Sequence, residues 1–84
     1  MRLRVLFFSA LKDVVGGGAF EREVASDGGA VTVADLLESL YGEWPALRPW
    51  DAKLLVAADL DYVGRDAVLQ DGQEIAIMPP VQGG

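Results

Sequence analysis

Thirteen Asp and Glu side chains and a terminal Gly83-Gly84 are the groups in this sequence with a claim to chemistry. Cysteine and histidine are both absent. Their absence removes thiol nucleophiles, disulfides, imidazole bases and the thiolate or nitrogen-rich metal sites, so no bound metal is expected. Carboxylates, backbone and chain ends remain. Asp59 with Asp61, and Asp66 with Asp71, read as paired carboxylates for acid–base or Mg²⁺ work. No partner base or ligand set accompanies them, and acidic residues commonly populate solvated turns. Gly16-Gly17-Gly18 is followed by Ala19-Phe20 rather than by the Gly-Lys-Ser/Thr of a phosphate cradle, and is expected to be loop.

The terminal sequence Pro79-Pro80-Val81-Gln82-Gly83-Gly84 stands apart. Two prolines stiffen the exit from the preceding residues toward polyproline II, and six residues so extended reach roughly 20 Å from the body. Gly83 and Gly84 carry no Cβ, so a narrow channel in a partner admits the backbone itself. A carboxylate presented this way suits modification in another protein's active site. On physical grounds alone a frayed end is an equal alternative.

The elements that must hold this end follow from periodicity. Arg2 to Phe8 reads as a strand with Leu3, Val5 and Phe7 on its core face. Ser9 to Val15 predicts a short helical turn ended by the glycines, and Ala19 to Ala25 an edge strand. Thr32 and Asp35 occupy capping-box positions, with Val31 and Leu36 at staple positions. The stripe Val33, Leu36, Leu37, Leu40 and Tyr41 predicts one dominant helix lying on a core, stopped at Gly42. Glu43 to Trp50, with two prolines and two tryptophans, reads as a loop holding at most one helical turn. Leu54 to Ala58 predicts a strand, Asp59 to Asp61 a tight connection, and Tyr62-Val63 the start of its return. After the Asp71-Gly72 turn, Glu74 to Met78 predicts a last strand with Ile75 and Ile77 inward, which Pro79-Pro80 must end.

The order of elements fits a ubiquitin-like β-grasp, an α+β fold with a mixed sheet around one main helix. A ferredoxin-like sandwich is the alternative, weakened by the lack of a second strong helix. The expected division is a domain over residues 1–78 and an extended tail over 79–84. At 84 residues there is room for one domain, and 51% hydrophobic residues favour a folded core.

Charge and hydropathy narrow the partners. A formal net charge of −6 argues against nucleic acid and anionic membrane surfaces and favours a partner with a basic face. The start imitates a short signal peptide, but Lys12 and Asp13 close its apolar run, and nothing approaches the length of a membrane span. A cytoplasmic location is expected. Alternation places Phe8, Met78 and Tyr62 away from the core face. If the first and last strands are neighbours, these three form an apolar partner-binding patch at the base of the tail. The competing reading is that they cover the core edge or pack on the Trp44 to Trp50 loop.

Leu6-Phe7-Phe8-Ser9-Ala10-Leu11-Lys12-Asp13, Thr32-Val33-Ala34-Asp35-Leu36-Leu37, Leu69-Gln70-Asp71-Gly72-Gln73-Glu74 and, above all, the terminal Pro-Pro-Val-x-Gly-Gly resemble the MoaD/ThiS ubiquitin-like family, and within it the small sulfur-carrier subunits of molybdopterin synthase. The resemblance covers nearly the whole chain. Gln82 stands where the family often has Ser or Thr, and Asp59 where Asn is common. The resemblance implies a carrier with no catalytic residues and no bound cofactor of its own. A ubiquitin-activating-type adenylyltransferase would use ATP to convert the Gly84 carboxylate to an acyl-adenylate, and a persulfide sulfur donor would turn it into a thiocarboxylate. The tail would then enter the large synthase subunit, in a heterotetramer, and give its sulfur to cyclic pyranopterin monophosphate for molybdenum cofactor biosynthesis. In that scheme Gly84 reacts, Gly83 gives clearance, and Pro79, Pro80, Val81 and Gln82 position the pair. A thiamine-type carrier, a ubiquitin-like protein modifier and a binding module with an inert tail are the alternatives.

Overall fold

The computed structural model describes residues 1–25 and 28–80. Five strands and two α-helices follow in the order β1 (Arg2–Phe7), α1 (Leu11–Val15), β2 (Ala19–Glu23), α2 (Val33–Glu43), a 3-10 segment (Pro45–Lys53), β3 (Leu55–Ala58), β4 (Asp61–Tyr62) and β5 (Glu74–Met78). The strands form one mixed sheet in the order β2-β1-β5-β3-β4. The central pair, β1 and β5, is parallel, while β2 and β3 flank it antiparallel. A parallel centre between first and last strands, wrapped on one helix, is the β-grasp arrangement and excludes the ferredoxin-like alternative.

One face of the sheet carries the core. Leu3, Val5, Phe7, Val56, Ile75 and Ile77 are buried against Val33, Leu36, Leu37, Leu40 and Tyr41 of α2. Each fully buried side chain of this kind stabilises by roughly 1.5–3 kcal/mol, so packing rather than local propensity holds α2 in place. The helix begins as its sequence dictates. Thr32 Oγ1 accepts the Asp35 amide at 3.3 Å, and Asp35 Oδ2 accepts the Thr32 amide at 2.9 Å, while Val31 and Leu36 are buried at the staple positions. At its other side β2 is tied to α2 by Arg22, whose guanidinium pairs with Glu43 and donates to Ser39 Oγ at 2.8 Å.

β1, α1, β3 and β4 fall within two residues of their expected bounds, and three other boundaries differ more instructively. Gly42 does not stop α2, which runs to Glu43 and ends at Trp44, where φ is −126° and ψ is 81°. Pro45 is the reason: its ring forces the preceding residue out of the helical region, and this steric effect is stronger than the weak propensity of Gly42. The predicted loop from Glu43 to Trp50 is instead a nine-residue 3-10 segment reaching Lys53. Its fully buried Leu47 packs on the core, and Pro49 inside it cannot donate to an α-helical hydrogen-bond ladder. The edge strand β2 stops at Glu23, although Val24 remains buried and its amide bonds the Met1 carbonyl at 2.8 Å. Among the described residues no helix is long and apolar enough to cross a membrane.

Candidate functional site

The sheet face opposite α2 changes character along its length. Toward the start of β5 it is charged, with Arg4 paired to Glu74 at 3.6 Å and Arg2 to Glu23 at 3.5 Å. Toward the end of β5 it is apolar. Register explains the second half: Leu6 pairs with Ala76, Ala76 with Ala57 and Ala57 with Tyr62, so these four form a row across four strands. The next row holds Leu55 opposite Met78, and the Phe8 amide reaches the Ile77 carbonyl at 3.2 Å, which sets Phe8 beside Met78.

Phe8, Tyr62 and Met78, predicted to share a patch, therefore do share one. They line a common groove with Leu6, Ala57, Leu60 and Ala76, with Glu74 at its charged end. Phe8 is 43% exposed and Tyr62 71% exposed, so these side chains lie open on the sheet face and do not simply cover the core edge. The competing reading is also partly right, because Phe8 and Met78 border a second groove with Trp50, Ser9, Pro79 and Pro80. Trp44, by contrast, packs on the opposite side of the sheet, edge-on to Phe7 at 5.7 Å between ring centroids. Pro79 and Pro80 follow Met78 directly, so the chain leaves the sheet at the apolar end of this face. Val81, Gln82, Gly83 and Gly84 lie outside the described residues.

Leu60 was not expected in the patch, and it is its most exposed member at 91%. It sits at the tip of the β3–β4 hairpin, where Asp59 has φ 47° and Leu60 φ 77°. Two positive φ values in a two-residue loop are the primed turn that matches strand twist, a geometry usually given to Asn-Gly. Asp59 is compensated: its carboxylate accepts the Glu74 amide at 3.2 Å and Gln73 Nε2 at 3.1 Å. Leu60 has no such return. Leu60 thus holds a branched apolar side chain in solvent at a strained backbone position. Its signal in the sequence was a leucine between two aspartates in a tight turn.

One carboxylate of each pair does structural work. Asp59 braces the hairpin as above, and Asp71 Oδ1 accepts the Arg2 amide at 2.7 Å. Among the described residues no three acidic side chains converge as a metal site would require. A separate polar cluster lies elsewhere, where Asp51 accepts the Tyr41 hydroxyl and Arg65 Nη1, the latter at 2.9 Å. Those two donors hold the Asp51 carboxyl below the usual carboxylate range. Burial, with the Asp51 hydrogen bond added, pushes the Tyr41 phenol well above its ordinary value.

The model of the ThiS family matches residues 5–84. The chain belongs to the ThiS family. Among its relatives, this ThiS-family chain is 38% identical to the molybdopterin synthase sulfur carrier subunit of Escherichia coli, over 98% of its own length and 99% of that protein's. It is 30% identical to small archaeal modifier protein 3 of Haloferax volcanii, covering 100% of both. The crystal structure of SAMP1 from Haloferax volcanii superposes with a TM-score of 0.82 at 28% identity, again over 100% of each chain. The sheet order and single main helix described above are thus those of a ubiquitin-like ThiS-family domain.

Proposed function

We propose that this chain is the sulfur-carrier subunit of a molybdopterin synthase, with Gly84 as its reacting residue. The Gly84 carboxylate attacks ATP on an adenylyltransferase of the ubiquitin-activating type, releasing pyrophosphate and forming an acyl-adenylate. A persulfide sulfur displaces AMP, and a further thiol reduces the resulting acyl disulfide, leaving a thiocarboxylate on the chain and a disulfide on the donors. The sulfur then passes to cyclic pyranopterin monophosphate in the large subunit. Gly83 adds no side chain to the entering tail, while Pro79, Pro80, Val81 and Gln82 aim it. Phe8, Leu60, Tyr62 and Met78 dock on the large subunit at the base of that tail.

The observation that carries this reading is the joining of two features at one place: an open apolar patch, and the exit of the chain over Pro79-Pro80 beside it. A partner that covers the patch is within about 20 Å of the last residue of the tail. The family match, which runs through Gly84, supports the chemistry assigned to that end.

The deciding experiment is the intact mass of the protein from its native cell, where exchange of one carboxylate oxygen for sulfur adds about 16 Da to the C-terminal peptide. Oxidation of Met1 or Met78 adds nearly the same mass and is separated by fragmenting that peptide. The similarity to small archaeal modifier protein 3 favours a second reading, a ubiquitin-like modifier joined through Gly84 to lysines of other proteins. Lysine-linked conjugates in the absence of any thiocarboxylate would establish that reading in place of the first.

A further inference from the structure

Trp50 packs against the edge of the core and also faces the place where the chain leaves β5. It is half-buried in the 3-10 segment and borders two grooves, one shared with Phe8, Ser9, Met78 and Pro79, the other with Pro49 and Lys53. Pro80 is the other residue common to both. The indole therefore stands between the grooves, at the place where the chain leaves β5.

At that place the backbone ladder ends. Up to Met78 the ladder to β3 and the bond from Phe8 to the Ile77 carbonyl hold the backbone. Pro79 and Pro80 have no N–H, so the ladder cannot continue, and their fixed φ values set local shape but not the angle to the sheet. Side-chain packing must set that angle, and Trp supplies the largest rigid ring for it at a cost of only two side-chain torsions.

The segment that carries the ring is held by a polar clamp at the next residue. Asp51 accepts the hydroxyl of Tyr41 from α2 and the Nη1 of Arg65 at 2.9 Å, and the Asp51 carbonyl accepts Arg65 Nη2. The guanidinium of Arg48 lies over the Tyr41 ring at 5.3 Å, and Leu47 is fully buried. The segment is thus gripped on both sides of Trp50, by α2 and by the chain that follows β4.

We propose that Trp50 is a positioning residue: its indole is the wall along which Pro79-Pro80 leave the sheet, and the Tyr41–Asp51–Arg65 clamp keeps that wall in place. Its consequence for sulfur transfer rests on the carrier reading above, whereas the placement of Pro80 against the indole does not.

Two measurements on the full chain test it. In NMR spectra of the free wild-type protein, the Pro80 ring protons show ring-current shifts that vanish in Trp50→Ala and persist, reduced, in Trp50→Phe. In single-turnover sulfur transfer at saturating large subunit, Trp50→Ala lowers the rate by roughly tenfold or more, as a misplaced reacting group does, with affinity changed less than about threefold. Trp50→Phe restores most of the rate, and it stands in for the alanine variant should that fail to fold. Unshifted Pro80 protons in the wild type overturn the proposal whatever the activity. An unchanged rate in Trp50→Ala, or a loss confined to affinity, overturns it as well, the latter making Trp50 a partner contact. A wild-type chain that shows the shifts but never carries sulfur instead refutes the carrier reading, and Trp50 has then no positioning role in that reaction.

Discussion

The Phe8 amide donates to the Ile77 carbonyl at 3.2 Å, one residue beyond the last paired position of β1. Because β1 and β5 are parallel, this bond places the end of the first strand beside the end of the last, and the two outward side chains that follow, Phe8 and Met78, lie together where the chain departs. Neither strand alone contains that surface.

Phe8→Arg is expected to weaken binding to the large synthase subunit by about 30-fold or more, the loss typical of a central interface residue costing 2 kcal/mol. Phe8 is 43% exposed, so the melting temperature should stay within a few degrees of wild type. Titration calorimetry and thermal melts check the pair of outcomes; normal binding excludes the patch as the contact.

Leu60→Gly should move stability and binding in opposite directions. Glycine relieves the strained φ of 77° and removes a side chain that is 91% exposed, for a gain of about 0.5–1 kcal/mol in stability. The same change removes an apolar anchor from the patch and should lower affinity for the large subunit. Urea unfolding beside a binding titration measures both, and a destabilised variant contradicts the strain argument.

Thr32→Ala removes one half of the reciprocal cap of α2, the bond from the Asp35 amide to Thr32 Oγ1, and leaves the residue-32 amide donating to the Asp35 carboxylate. A loss of about 1 kcal/mol is expected, equivalent to a fall of about 4–8 °C in melting temperature for a domain of this size. Thr32→Ser, which keeps the acceptor, should retain most of the stability.

The Asp51 clamp gives a pH dependence with a definite sign. Hydrogen bonds from Tyr41 and Arg65 depress the folded-state value of Asp51, so its contribution is present above the ordinary carboxylate value, about 4, and is lost as pH falls through the lower folded value. Asp51→Asn should therefore be less stable than wild type at neutral pH, with the gap closing toward pH 2. Tyr41 works at the other end: its raised value contributes stability below about pH 10 that is lost as the phenol finally ionises in alkali. Denaturant melts across pH check both; a gap for Asp51→Asn that stays constant down to pH 2 contradicts the acid limb.

Local signals in the sequence were sufficient for most of the elements. The alternation of Leu3, Val5 and Phe7, the stripe from Val33 to Tyr41, the Thr32–Asp35 cap and the Pro79-Pro80 stop each depend on residues within one or two turns of each other, and each appears in the structure. Where two local signals competed, the stronger steric one won: Pro45, not Gly42, ended α2. The Pro-rich segment after it was underestimated because its order comes from the burial of Leu47 and from the Asp51 contacts with Tyr41 and Arg65, which are 10 and 14 residues away in sequence.

The sequence by itself determined the class of the chain, the absence of thiol and imidazole chemistry, and the terminal Gly83-Gly84 on which the proposed reaction turns. Only the tertiary structure decided what surrounds the exit of that tail. Phe8 and Met78 are 70 residues apart by numbering, yet adjacent through the parallel pairing of β1 and β5. Leu60 enters the same patch by a strained hairpin, and Trp50, on a segment tied to α2 through Asp51 and Tyr41, lines two grooves together with Pro80. Backbone periodicity is a short-range property, written residue by residue. A surface assembled from four strands and a turn exists only after long-range pairing has closed the loops between them, and its composition follows from register, which no single segment contains.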